Sequence, residues 1–226
     1  MCGRFTLKSP GRIRFDRVNR LGLPPLYPRY NIAPSQGVLA IVERGAEREA
    51  AFLQWGLIPC WSKDGKGFIN ARSETIERKP SFSESFQRRR CLIPADGFYE
   101  WQRSGKIAQP YFFQMKDESP FAFAGIWDEW RKDEVSISSC AIITTRANEL
   151  LAAIHDRMPV ILPLESQDMW LDDDSEPLKL RNALAPFPAS EMMSHAVGYD
   201  VNHPKVDDEH LVRRVEPNLG VTGRLF

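Results

Sequence analysis

Cysteine at position 2, directly after Met1, is the residue whose chemistry reads most sharply. Aminopeptidases generally remove Met1 ahead of a small second residue, which would leave Cys2 with a free α-amine and a thiol on adjacent carbons. An α-amine has a reference pKa of about 7.7–8.0, so a useful fraction is neutral and nucleophilic near neutral pH. The thiol titrates near about 8.5 and is tuned downward by nearby cations, with Arg4 the candidate here. A 1,2-aminothiol that meets an aldehyde forms an imine through the amine, and the thiol then closes on the same carbon to give a thiazolidine. Neither group alone gives so stable a product. An amino-terminal thiol can also serve as a hydrolytic nucleophile on an amide. Met1-Cys2-Gly3 therefore narrows the chemistry to an N-terminal nucleophile and leaves the substrate open.

Other residue types bear on such chemistry. Glu100 lies between Tyr99 and Trp101 in an otherwise apolar stretch. A carboxylate desolvated by aromatic neighbours holds a proton more readily, which suits proton transfer. The competing reading is plain alternation, with Glu100 on the solvent face of a half-buried strand. His155 precedes Asp156-Arg157-Met158-Pro159, and an imidazole can give and take a proton near neutrality, although a lone histidine is more often structural. Arg4, Arg72 and Arg157 carry guanidinium groups of the kind that grip phosphates in a bidentate manner. Their alternative is surface solvation or ion pairing, for which Asp156 stands beside Arg157. Trp61, Trp101 and Pro34 are candidates for stacking or wedging against bases, a contact that tolerates any base sequence. Core packing competes with that role for any tryptophan, and Trp55, Trp127, Trp130 and Trp170 are assigned to core or surface. Arg88-Arg89-Arg90 is a basic run at a helix end, where interaction with the helix dipole is the favoured reading.

The elements that must position these groups are mostly strands. Residues 2–7 predict a short strand, and residues 11–22 a helix on the spacing of Ile13, Arg17 and Leu21. Pro24, Pro25, Pro28 and Pro34 break the next stretch into an irregular loop. Residues 38–42 and 51–58 predict a hairpin across a charged turn around Gly45. A helix over 81–89, with Ser81 as its cap and Phe82 and Phe86 on one face, precedes strands at 97–101, 111–115, 121–127 and 135–144. Short helices are expected at 146–154, 165–171 and 177–184, and a last strand near 195–201. Strands in runs with few helices between them predict an α+β fold, a single domain over 1–226 built around a curved, mainly antiparallel sheet or barrel with peripheral helices.

Composition sets outer limits. Thirty basic residues balance thirty acidic ones, which argues against a coat on long duplex DNA but allows a local basic cleft. The cysteines at 2, 60, 91 and 140 form no C-x-x-C pair, so neither a zinc site nor a redox pair is expected, and Cys91 and Cys140 read as inert core thiols. No cofactor is implied. The first fifteen residues hold Arg4, Lys8, Arg12 and Arg14 with no apolar run, and nowhere do eighteen apolar residues follow one another. The expectation is a cytoplasmic protein, nucleoid-associated when bound to DNA, with no membrane contact and no obligatory protein partner.

Four internal segments join the amino-terminal Cys2-Gly3-Arg4-Phe5: Tyr30-Asn31-Ile32-Ala33-Pro34, Ile69 to Thr75 (INARSET), Ala95 to Trp101 (ADGFYEW) and Ile154 to Val160 (IHDRMPV). This ordered set resembles the SRAP family, the SOS-response-associated peptidases or abasic-site processing proteins. The resemblance continues more weakly through Val201–Pro204 and Glu216-Pro217. It implies one α+β domain that binds single-stranded DNA and single-strand/duplex junctions. It also implies a thiazolidine crosslink between Cys2 and C1′ of an abasic deoxyribose, which shields the lesion from cleavage. The family name records a second activity, self-cleavage before the cysteine; with Met1 alone ahead of Cys2, an ordinary aminopeptidase suffices. An abasic-site lyase side activity stays open. By resemblance, Asn70 holds the Cys2 amine, Glu100 and His155 move protons at the sugar and the imine, and Arg4, Arg72 and Arg157 contact phosphates. The position similar to Thr144 contacts DNA. Two departures, Cys60 where a small residue is common and Ser62 where a second aromatic can follow Trp61, alter the stacking platform and leave the Cys2 chemistry untouched. Two other classes compete: a glutamine amidohydrolase of the class II amidotransferase type, which shares the Met-Cys-Gly start but none of the internal segments, and a non-catalytic single-strand-binding module, in which Cys2 is dispensable.

Overall fold

The computed structural model describes residues 2–13, 18–20, 23–45, 47–105 and 107–217. Its strands are β1 (Phe5–Leu7), β2 (Val18–Asn19), β3 (Arg29–Ile32), β4 (Gly37–Arg44), β5 (Glu47–Trp55), β6 (Asn70–Arg72), β7 (Arg90–Ala95), β8 (Gly97–Ser104), β9 (Ile107–Met115), β10 (Phe121–Lys132), β11 (Val135–Arg146), β12 (Arg157–Pro159), β13 (Ile161–Leu162) and β14 (Met192–Ala196). The helices are short: α1 (Ser83–Arg88), α2 (Glu149–Ala152), α3 (Leu164–Leu171) and α4 (Pro177–Asn182).

Two sheets result. One is antiparallel, in the order β14-β9-β8-β1-β3. In the other, β5, β4, β7, β10 and β11 pair antiparallel in turn, and a short parallel contact of β11 with β5 (Ser139↔Gln54, Cys140↔Trp55) closes the ring. Closure removes the unpaired edges that an open sheet would expose. Gly125 of β10 leaves room for the β7 side chains to pack against it, because a Cβ there would come within 2.7 Å of the Cys91 sulfur. The main core lies between the sheets. Phe5 meets Trp55 and Phe123 edge to face at 5.2 and 5.6 Å, so β1 of one sheet is keyed into two strands of the other. Helices α1, α3 and α4 cover a second cluster on the outside of the ring, where Phe86 meets Trp170. This is an α+β fold around curved, mainly antiparallel sheet.

Several expectations need correction. No helix spans 11–22: a 3-10 turn occupies Pro10–Arg12, and Val18–Asn19 lies as a parallel edge strand against Arg48 and Glu49, with residues 14–17 and 21–22 outside the described chain. The periodicity there is thin, and pairing of β-branched Val18 with the ring overrides it. The proline-broken loop contains β3, since Pro28 and Pro34 only flank it and Arg29 and Ile32 pair with Leu7 and Phe5 of β1. Ser81 does not cap α1; Phe82 takes that position without a side-chain bond. Residues 90–95, assigned to no element, form β7. The stretch 146–154 shortens to α2 because β11 runs on through Arg146, and the last strand is Met192–Ala196, followed by a 3-10 turn over Tyr199–Asn202.

Candidate active site

The segment before β1 runs antiparallel beside β8. Phe5 pairs with Phe98, Thr6 with Gly97, and the Tyr99 N–H donates to Arg4 O at 3.0 Å. Continuing that register brings Cys2 and Gly3 alongside Glu100 and Trp101. Gly97 starts β8 without a side chain because the Phe112 ring would stand 2.1 Å from a Cβ. Alternation along β8 then sends Phe98 and Glu100 toward the main core, and Tyr99 and Trp101 toward the opposite face. Glu100 is only 2% exposed, so its solvent-face reading is overturned: the second sheet covers that face.

Cys2 is fully buried. Burial pushes its thiol well above the ordinary range, and the nearby Glu100 carboxylate pushes it further. This corrects the expectation that Arg4 lowers it. The Arg4 guanidinium turns away, donating from Nη1 to Val201 O at 2.7 Å, and the thiol donates to the Arg4 carbonyl, at 3.9 Å. Burial also lowers the pKa of Arg4 itself.

Asn70 reaches Cys2 from the ring. It opens β6, which lies parallel on β11 with Asn70 opposite Ile142, and the Trp55 indole N–H fixes the preceding residue by donating to Ile69 O at 2.9 Å. Asn70 Nδ2 donates to Cys2 O at 2.8 Å, whereas its Oδ1 is buried with no hydrogen-bond partner among the described residues.

His155 ends the turn after α2, and α2 itself is capped by Asn148, whose side chain accepts from the Leu151 N–H. Gln102, on the same face of β8 as Glu100, donates to Ala153 O at 3.1 Å and so ties the His155 turn to the Glu100 strand. His155 Nδ1 accepts from the Arg157 N–H at 3.0 Å, which puts the proton of the neutral ring on Nε2. When the ring is charged, its Nδ1–H can donate to the Asp156 carboxylate, 2.9 Å away.

The arginines differ among themselves. Arg72 is exposed, with no side-chain partner among the described residues. Arg157 forms a two-pronged pair with Glu74, not with Asp156, and also donates to Thr144. Thr144 is fully buried, so direct contact of its side chain with DNA is corrected: it holds Arg157 instead. Trp61 is 59% exposed on a loop tied down where the Cys60 N–H donates to Asp128 and the Trp130 indole to Ser62 O. That loop meets β11 at Ser139, about 10 Å along the strand from Ile142 beside Asn70, so Trp61 belongs to the periphery. Trp101 is half-buried, its indole donating to Asn202 Oδ1 at 2.8 Å, and Pro34 is half-exposed beside Ser35, whose φ is +69°.

Residues that sequence reasoning passed over hold this rim together. Asn31 Nδ2 reaches the carbonyls of Val201, His203 and Val206, and Asp207 accepts from the backbone N–H groups of Tyr30 and Asn31 and from Arg29. A strap over 199–212 is thereby bound to β3, to Arg4 and to Trp101. The weak continuation of the family resemblance at Val201–Pro204 was its one signal. Arg90 is the other surprise: the last residue of the basic run is buried and donates to Phe86 O, Gln87 O, Trp170 O and Asp172 O, closing the ends of α1 and α3. The dipole reading of that run holds in kind for Arg90. Among the described residues, no group of three or more His, Cys, Asp or Glu side chains is arranged to hold a metal ion, and no helix is long and apolar enough to cross a membrane.

The sequence model of the SOS response associated peptidase (SRAP) family matches residues 1–204. The abasic site processing protein YoqW of Bacillus subtilis (strain 168) is 42% identical over 221 residues, covering 94% of this chain and 99% of its own. The abasic site processing protein YoaM of the same strain is 40% identical over 224 residues, covering 94% and 97%. The X-ray crystal structure of a protein from Bacteroides thetaiotaomicron matches with a TM-score of 0.85 at 29% identity, covering 95% of this chain and all of that one.

Proposed function

The chain belongs to the SRAP family, and on that premise we propose that it processes abasic sites in single-stranded DNA by covalent capture through Cys2. With Met1 removed, the Cys2 α-amine attacks C1′ of the ring-opened sugar. The carbinolamine loses water to leave an imine. The thiol then adds to the same carbon, a C–S bond forms, the thiol proton passes to nitrogen, and a thiazolidine closes.

The observation that carries this reading is the Asn70 amide. Its Nδ2 grips the Cys2 carbonyl at 2.8 Å while the buried Oδ1 finds no partner among the described residues. An amide so held offers its oxygen to the Cys2 amine, a donor only Met1 removal sets free, and aims the nitrogen lone pair at the incoming carbon. Because burial keeps the thiol protonated, closure needs a base, and Glu100 is the carboxylate that acts on this thiol electrostatically. His155, whose Nδ1 accepts from the Arg157 N–H, is the imidazole that moves a proton at the ring oxygen of the sugar, and Asp156 steadies the ring when it is charged. Arg72, Arg4 and Arg157 serve the phosphates around the lesion, and Trp61, Trp101 and Pro34 the flanking bases or the junction.

The test is a denaturing gel of purified protein with single-stranded DNA carrying one abasic site, beside a Cys2→Ala variant and an undamaged strand. A retarded band only for the wild type on damaged DNA is expected, with mass spectrometry confirming that Met1 is gone. Absence of that band with protein verified to lack Met1 overturns the reading. Glutamine hydrolysis and non-covalent strand binding are then the next assays.

A further inference from the structure

In the protein the Arg157 guanidinium is already occupied. Nη1 donates to Glu74 Oε1 at 2.5 Å and Nη2 to Glu74 Oε2 at 3.0 Å, a fork-to-fork pair, while Nη2 also reaches Thr144 O at 2.6 Å. The Arg157 side chain is 12% exposed and that of Glu74 51%, so the arginine is set into the protein and the carboxylate sits over it at the surface. Strand register brings two further cations to the same place: Arg72 lies opposite Thr144, and Arg146 opposite Arg157, both exposed. Of the three, Arg157 is the one that pairs with the Glu74 carboxylate. Hydrogen bonds from Arg157 hold the Glu74 carboxyl below the ordinary glutamate range, so it carries its charge at neutral pH. Two oxygens in the plane of a guanidinium fork are what a phosphate offers.

We propose that Glu74 is a specificity-determining residue: it occupies Arg157 as an internal stand-in for phosphate, and a DNA strand must displace it to use that arginine. The inference rests on the DNA-capture reading and adds a selection step to it. An undamaged strand has only its phosphates with which to compete against a carboxylate already in place, and it binds more weakly for that. A strand with an abasic site is also held by the bond to Cys2, so it can displace Glu74 and keep Arg157. Glu74 keeps the Arg157 side chain extended meanwhile, which lowers the ordering cost of the exchange.

The experiment measures binding of the full chain, Met1 removed, to an undamaged single strand across a salt series. The proteins compared are the wild type, Glu74→Gln, Arg157→Ala and the double variant. Glu74→Gln is expected to bind roughly threefold to tenfold tighter. Its dependence of log affinity on log salt should steepen by about 0.7, the contribution of one added phosphate contact on a single strand. In the Arg157→Ala background the same substitution should do nothing. Equal or weaker binding by Glu74→Gln overturns the proposal, as does an undiminished gain in the Arg157→Ala background, which would mark a general charge effect. Thermal melts verify folding, and Glu74→Ser, which also removes the charge, takes over if Glu74→Gln does not fold. If the wild type neither binds the undamaged strand at low salt nor crosslinks a strand carrying an abasic site, the DNA-capture reading itself fails. Wild-type binding with an unchanged Glu74→Gln variant removes only the role of Glu74.

Discussion

Two buried polar regions of this molecule are built on opposite plans. Under α1 and α3, Arg90 is 2% exposed and its donors are met by four backbone carbonyls and by Asp173. At the amino-terminal rim, Asn70 Oδ1 and Arg4 Nε are buried with no hydrogen-bond partner among the described residues, and Cys2 lies fully buried beside Glu100. A buried polar atom left unsatisfied costs about 1–3 kcal/mol. Arg90 avoids that cost; Asn70 and Arg4 at the rim carry it. The thiols divide the same way. Burial alone raises Cys140, and burial with Cys140 nearby raises Cys91, whereas Cys2 is raised by burial and by the charge of the Glu100 carboxylate. Arg90 is a saturated buried group, and Asn70 an unsaturated one, the kind that calls for an explanation beyond the fold.

Substitution separates the two plans. Arg90→Ala should have the largest effect, a loss of about 3–5 kcal/mol in urea unfolding, because it strands several carbonyls at once. Abasic-site capture per folded molecule should stay unchanged, and a defect in capture that survives correction for folding would erase the contrast. Asn70→Ala should do the reverse. Capture on a denaturing gel should slow by about 100-fold while stability falls by about 1 kcal/mol or less, the worth of the single bond to Cys2 O. A stability loss as large as that of Arg90→Ala would make Asn70 a structural residue. The smallest effect concerns the strap. His210 is bonded to Asp208 and Asp200, which raise its pKa above the ordinary histidine value. Because the folded value is the higher one, this contribution is fully present below the unfolded pKa of about 6.5 and is lost as pH rises through the folded value. The melting temperature of His210→Ala should therefore lie below that of the wild type at acid pH and converge with it in alkali. A constant gap across that range would show that the bridge acts through packing.

Legibility in the sequence divides along the same line. Cys2, Asn70 and Glu100 could be grouped from short, unusual segments, and they stand together because β1, β6 and β8 converge on one rim. The burial of Glu100 was not legible, since alternation gives two faces and only the second sheet decides which is covered. Thr144 failed as a surface contact for the same reason. The Arg4 guanidinium could be expected near the thiol, but its actual partner, Val201 O, lies 197 residues away. Asn31, Asp207 and Asn202 were invisible as a group because their contacts join opposite ends of the chain. The helix over 11–22 was lost where weak local periodicity met a strand partner at Arg48 and Glu49.

The parallel seat of β6 on β11 also sets an order of events. During synthesis Cys2 emerges first and Asn70 comes 68 residues later, but the strand on which Asn70 lies, around Ile142, is made much later still. Contacts so distant along the chain form late in folding, after the local hairpins. Cys2 is thus made well before the strand that seats its partner. An unfinished chain carries Cys2 without the amide that holds its carbonyl, and the two meet only as the fold completes.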